Sequence, residues 1–86
     1  MKLKLLRSVI DKLPPSDKRY FVFDTALPGF ALDVRPSGGK SYVVRYRPRE
    51  GSGRANPRTY TIGAHRKLTP EQAREIARGV MAQVAA

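Results

Sequence analysis

The chain has 86 residues, carries 17 Lys and Arg against 7 Asp and Glu for a net charge of +10, and contains one His and no Cys. A chain this short makes one domain, residues 1–86, that buries only about 60% of its unfolded surface, so a spacious active-site cleft is not expected. Without Cys there is no disulfide frame, thiol nucleophile or Cys-based zinc site, and one His cannot build a His-rich site.

With 41% hydrophobic residues, four Tyr and three Phe, the chain has enough apolar surface for a packed core and is not expected to be disordered. Met1 to Leu6 combines lysines and leucines, but Arg7, Asp11 and Lys12 interrupt it. The longest apolar run, Tyr20 to Phe23, is too short for a signal-sequence core or a membrane span. The expectation is a cytoplasmic domain, with no membrane association, whose partner is a polyanion.

Leu6, Val9, Ile10 and Leu13 follow the i, i+3, i+4, i+7 spacing of a short amphipathic helix, which Pro14 and Pro15 end. Arg19 to Asp24 is rich in β-formers and predicts a strand. Pro28-Gly29 suits a type II turn, with Pro presetting the first central position and Gly accepting positive φ at the second. Phe30, Leu32 and Val34 then alternate with Ala31, Asp33 and Arg35, a half-buried strand over 30–35. Pro36 to Gly39 closes a hairpin into a strand over Lys40 to Arg47. Pro48 to Pro57 is a polar loop, and Arg58 to Gly63 predicts a third principal strand with Tyr60 and Ile62 on one face. Thr69-Pro70-Glu71-Gln72 carries an N-cap Thr, Pro at the first helical position and Gln placed for a capping box. Behind it Ala73, Ile76, Ala77, Val80, Met81 and Val84 form one apolar stripe.

The fold class expected is α+β: a small three-stranded antiparallel sheet, with a short N-terminal helix and strand added, packed on one C-terminal helix. Leu32, Val34, Tyr42, Val44, Tyr46, Tyr60 and Ile62 would face the helix. Arg35, Ser41, Val43, Arg45, Arg47, Thr59 and Thr61 would face outward. A monomer is expected, since neither helix carries a second apolar stripe.

The charge is concentrated. Residues 35–67 hold nine basic residues against the single acid Glu50, a net +8. An outward face of Arg, Ser and Thr on a small sheet matches the major groove of B-DNA, where Arg bonds bidentately to guanine and Ser or Thr to base edges. Lys40, Arg49, Arg54, Arg58, Arg66 and Lys67, at strand ends and in loops, suit backbone phosphates. The plainer account, that any sheet needs a polar outer face, explains less of this concentration.

Other motifs carry less. Gly39-Lys40-Ser41 resembles the end of a phosphate-binding P-loop, but Val34 stands where its first Gly belongs and a strand follows instead of a helix. His65 has no partner set for catalysis or metal binding and fits an ordinary loop residue, with a phosphate contact as the alternative. Asp24 before Thr25 is most simply a turn-forming residue. No nucleophile elbow or paired acids are visible, so the chain is not expected to be an enzyme, and no cofactor or metal is expected. Two other partners stay open: RNA, which would need at least two of Tyr42, Tyr46 and Tyr60 exposed for base stacking, and a protein that engages the sheet edge or the loop through the basic face.

The order of the pieces is more specific than any one of them. Asp24 to Leu32 (DTALPGFAL), Val34 to Gly38 (VRPSG), Lys40 to Arg47 (KSYVVRYR), Tyr60 to Gly63 (YTIG), Leu68-Thr69 and Ala73-Arg74 together resemble the N-terminal arm-type DNA-binding domain of phage-like integrases, the tyrosine recombinases of prophages and genomic islands. The resemblance covers about residues 5 to 84. It implies an antiparallel sheet packed on a C-terminal helix, with the outer sheet face docking in the major groove of double-stranded arm-type sites. It also implies that core-binding and catalytic domains follow in the full protein, which assembles on DNA. The sheet-face positions it implies are Asp33, Arg35, Ser41, Val43, Arg45, Thr59 and Thr61. In this family the first of these is usually basic; here Asp33 would repel phosphate unless it accepts from a cytosine amino group or pairs with Arg45 or another neighbouring Arg.

Overall fold

The computed structural model describes residues 1–47 and 57–85. Its elements are β1 (Lys2–Leu3), α1 (Arg7–Lys12), β2 (Tyr20–Asp24), β3 (Phe30–Val34), β4 (Lys40–Tyr46), β5 (Arg58–Ala64) and α2 (Pro70–Ala85). Among the described residues the strands form one five-stranded sheet in the order β1-β2-β3-β4-β5, parallel between β1 and β2 and antiparallel elsewhere.

The α+β class holds, but three antiparallel strands is too small a sheet. The strand read at Arg19 to Asp24 is a full member, pairing with β3 from Tyr20 opposite Val34 to Phe23 opposite Ala31. Beyond it, β1 adds a parallel edge. The Phe23 N–H donates to the Met1 carbonyl at 2.9 Å and the Thr25 N–H to the Leu3 carbonyl at 3.2 Å. Two exposed residues have no alternation to read; backbone pairing alone makes β1 a strand.

Both turns follow their residue chemistry. The Phe30 N–H donates to the Leu27 carbonyl across Pro28-Gly29, where Gly29 has φ +89°. In the next hairpin the Gly38 N–H donates to the Arg35 carbonyl, and Gly38 has φ +94°. Both angles fall where a side chain is strained and Gly is not. A β-bulge at Tyr42/Val43 shifts the β4–β5 register, so Val43 faces Thr61 while Tyr42 faces Gly63.

The core lies on one face of the sheet. Val22, Phe30, Leu32, Val34, Tyr42 and Val44 pack there with Leu5, Ile10 and Leu13 from the α1 region and Ala73 and Ala77 of α2. The Phe30 and Tyr42 rings stack with centroids 5.8 Å apart. The capping box forms as expected: the Gln72 N–H donates to Thr69 Oγ1 at 3.1 Å and the Thr69 N–H to Gln72 Oε1 at 2.9 Å. The α2 stripe is narrower than its spacing suggests, because Ile76 stays 42% exposed. Tyr60, expected in the core, is 48% exposed; it lies on β5, which among the described residues is an edge strand paired with β4 alone. The side chain of Val84 lies outside the described residues, as do residues 48–56 of the predicted loop.

Asp24 is not simply a turn residue. Its buried carboxylate accepts from the Leu5 N–H at 3.0 Å and from Arg74 Nε at 2.8 Å and Nη2 at 3.3 Å, while Arg74 Nη2 also donates to the Leu5 carbonyl at 2.8 Å. One ion pair therefore joins the N-terminal segment, β2 and α2. Burial by itself would raise the Asp24 carboxyl, but hydrogen bonds and attraction from Arg74 and the Leu5 N–H outweigh it and hold its pKa below the ordinary value.

Candidate nucleic-acid interface

Directly opposed residues of an antiparallel pair share a face. Val34 opposite Lys40, Leu32 opposite Tyr42 and Phe30 opposite Val44 define the helix side. The other side carries Phe21 opposite Asp33 opposite Ser41, then Phe23 opposite Ala31 opposite Val43 opposite Thr61, then Arg45 opposite Thr59. The same alternation puts Arg19, Arg35 and Arg47 on this outer face.

The outer face is not uniformly exposed. Thr59, Thr61 and Arg47 are exposed and Arg35 and Arg45 half-buried, but Ser41 and Val43 are buried, Val43 completely. The expectation that all seven outward positions meet solvent is therefore corrected for these two. The cause is the length of their neighbours. Arg45 donates through Nη1 to Thr59 Oγ1 on β5 at 3.0 Å, while its guanidinium lies 4.4 Å from the centroid of the Phe21 ring on β2. The Arg45 side chain and the Phe21 ring thus span β3 and β4, where Ala31 and Val43 lie. Arg19 stands against the same ring at 5.3 Å, so Phe21 is flanked by two guanidinium groups.

Asp33 is resolved as a paired group. It is 2% exposed and accepts from Arg19 Nε at 2.8 Å and Nη2 at 2.6 Å, and from Arg35 Nη1 at 3.3 Å. Arg35 Nη1 also donates to Ser41 Oγ at 3.1 Å. Burial would raise the Asp33 carboxyl; Arg19 first, then Arg35, more than offsets this and keeps it ionised below the ordinary carboxylate range. Of the two expected pairings, with Arg45 or with another neighbouring Arg, the second is the one found.

The residues expected at phosphates are distributed differently. Arg66 and Lys67 are exposed in the turn after β5. Arg58 is exposed at the start of β5, opposite Tyr46 and so on the helix side. Lys40 also lies on the helix side and donates to the Ile10 carbonyl at 2.8 Å, closing the C-terminus of α1. Arg49 and Arg54 lie outside the described residues. Near the β3–β4 hairpin, Arg35, Lys40, His65 and Arg66 border an open hollow of about 550 Å³. The His65 N–H donates to the Lys40 carbonyl at 3.1 Å, which fixes the backbone of that rim. Among the described residues no group of three His, Cys, Asp or Glu side chains could hold a metal ion, and no helix is long and apolar enough to cross a membrane. With Tyr42 buried and Tyr46 half-buried, the two exposed tyrosines that the RNA reading requires are not present.

Arg19, Phe21 and Phe23 are the outer-face residues that sequence reasoning passed over. Their alternation with Tyr20, Val22 and Asp24 is visible in the sequence, but both sets contain aromatic residues. Only the register with β3 decides which set faces out.

The family model of the arm DNA-binding domain matches residues 3–86. The chain belongs to this family, the arm-type DNA-binding domain found in phage integrases. No curated protein matches it. An arm domain is a DNA-binding module and not a catalytic one.

Proposed function

We propose that this arm domain binds double-stranded DNA at arm-type attachment sites by placing the outer sheet face in the major groove, as the N-terminal module of a tyrosine recombinase acting in the cytoplasm. The observation that carries this reading is the division of the sheet. The core and α2 occupy one face, and the opposite face presents Arg19, Arg35, Arg45, Arg47, Thr59 and Thr61. Two strand spacings of about 4.8 Å make β3 to β5 about 10 Å across, comparable with a major groove about 12 Å wide.

In this arrangement Arg35, Arg45 and Arg47 read base edges with Thr59 and Thr61, and Ser41 and Val43 support the face from below. Arg49, Arg54, Arg58, Arg66 and Lys67 meet phosphates around it. Lys40 keeps two further N–H donors for a phosphate beside its bond to Ile10. Strand exchange belongs to a separate catalytic domain of the parent protein.

The test is a fluorescence-anisotropy titration of the domain with a duplex from the arm region of the parent element and with a shuffled duplex, at several salt concentrations. The arm duplex should bind more tightly. Neutralising about six phosphates should give a slope of log K against log salt near −5. Equal affinity for both duplexes would remove arm-site recognition, and absence of binding would remove the DNA reading.

A further inference from the structure

We infer that Arg19 is a further DNA-reading residue of the outer face and that Asp33 positions it, together with Arg35, before DNA arrives. This rests on the DNA-binding reading above. An acid at the centre of a surface meant for a polyanion is unfavourable unless its charge is fully used within the protein. Here it is: Asp33 is buried and its two oxygens accept from Nε and Nη2 of Arg19 and from Nη1 of Arg35. Each arginine is held at a second point as well. Arg19 lies against the Phe21 ring, and Arg35 bonds Ser41. Arg35 also lies over Gly39, where an added Cβ would sit 2.7 Å from its Nη2.

The two arginine side chains nevertheless remain accessible, 54% and 39% exposed. A guanidinium has five N–H donors. Arg19 spends its Nε and Nη2 edge on Asp33, which leaves Nη1 free to approach an acceptor on DNA. An arginine so held loses little side-chain freedom on binding and presents its donors in one orientation, a condition for geometric selection of guanine over other bases. Net charge cannot supply this, since it attracts every sequence alike.

The prediction has a sign that simple electrostatics does not share. Removing a negative charge from a DNA-facing surface should strengthen binding to DNA of any sequence, whereas loss of positioning should weaken discrimination. The wild-type domain is first used to select a preferred duplex from a randomised library. Affinities for that duplex and for the random pool are then measured for the wild type, Asp33→Asn and Arg19→Lys. Arg19→Lys keeps the charge but cannot form the two-point fork, and its exposed position leaves the core untouched. Both variants should lose about tenfold in the ratio of selected to pool affinity. Arg19→Lys should hold its pool affinity within about twofold, and Asp33→Asn should bind the pool more tightly.

An unchanged ratio in Arg19→Lys would overturn the inference, as would a parallel loss on both DNAs. A wild-type domain that selects no sequence would instead refute the function proposed above. The free protein supplies a separate reading. In NMR spectra of the wild type the Arg19 Nε–H should exchange slowly with water, and in Asp33→Asn it should exchange as fast as that of exposed Arg58. Rapid exchange in the wild type would refute positioning by Asp33 whatever the DNA result.

Discussion

Arg74→Met removes the cation from the buried pair with Asp24 while keeping an unbranched side chain on α2. The Asp24 side chain is fully buried and that of Arg74 is 10% exposed. The substitution deletes two bonds to the carboxylate and one to the Leu5 carbonyl, leaving a buried charge with backbone N–H donors, Leu5 first among them, and no cation. Breaking a buried pair from one side costs about 3–5 kcal/mol. A domain of this length has a total stability of about 4–13 kcal/mol, so a loss near 4 kcal/mol takes a third or more of it. Urea unfolding followed by far-UV circular dichroism measures the change. The double variant Asp24→Leu with Arg74→Met leaves no uncompensated charge and should recover at least about 2 kcal/mol relative to Arg74→Met. A single-variant loss below about 1 kcal/mol, or a double variant no more stable than Arg74→Met, would refute the idea that this pair ties the N-terminal segment and α2 to β2.

Three further predictions concern the interface, the turns and pH. Arg45→Ala removes the side chain that joins Thr59 to Phe21 and should cost about tenfold on a preferred duplex with less effect on random DNA, whereas Arg66→Ala should weaken both alike; equal profiles in anisotropy titrations would void the division between base and phosphate contacts. Gly29→Ala forces a side chain to φ +89° with its Cβ 3.2 Å from Met81 Cε and should cost about 1–2 kcal/mol in thermal or urea unfolding, more than Gly38→Ala, where φ is similar but the space is open. Asp24 and Asp33 both have native pKa values below their unfolded ones. Their contribution is therefore complete above the unfolded value of about 4 and is lost as the pH falls through the lower native values. Unfolding free energy measured across this range should fall on acidification, and less steeply in Asp33→Asn.

Much of the architecture follows from short-range chemistry. Pro28-Gly29 made its turn and Thr69 to Gln72 made its cap because the residues that satisfy those backbone groups are neighbours in the chain. Alternation in β3 and β4 separated Leu32 and Tyr42 from Asp33 and Ser41 correctly, since side chains on a strand alternate regardless of its partners. The same local rules misplaced Tyr60, whose face was right but whose burial depends on what covers its strand, and Ile76, which lies at the margin of the helical stripe while Ala73 and Ala77 on either side of it in the chain are buried.

What the sequence by itself determined is a small basic α+β domain with its positive charge gathered on and around the sheet. Tertiary structure alone decided the parallel pairing of β1, the bond from Lys40 to the end of α1, and the pairing of Asp24 with Arg74 across fifty residues. It also decided the composition of the outer face. Arg19 and Phe21 join it through the β2–β3 register, and Asp33 becomes a buried anchor for two arginines, because an acid's effect on a surface depends on which cations reach it in space.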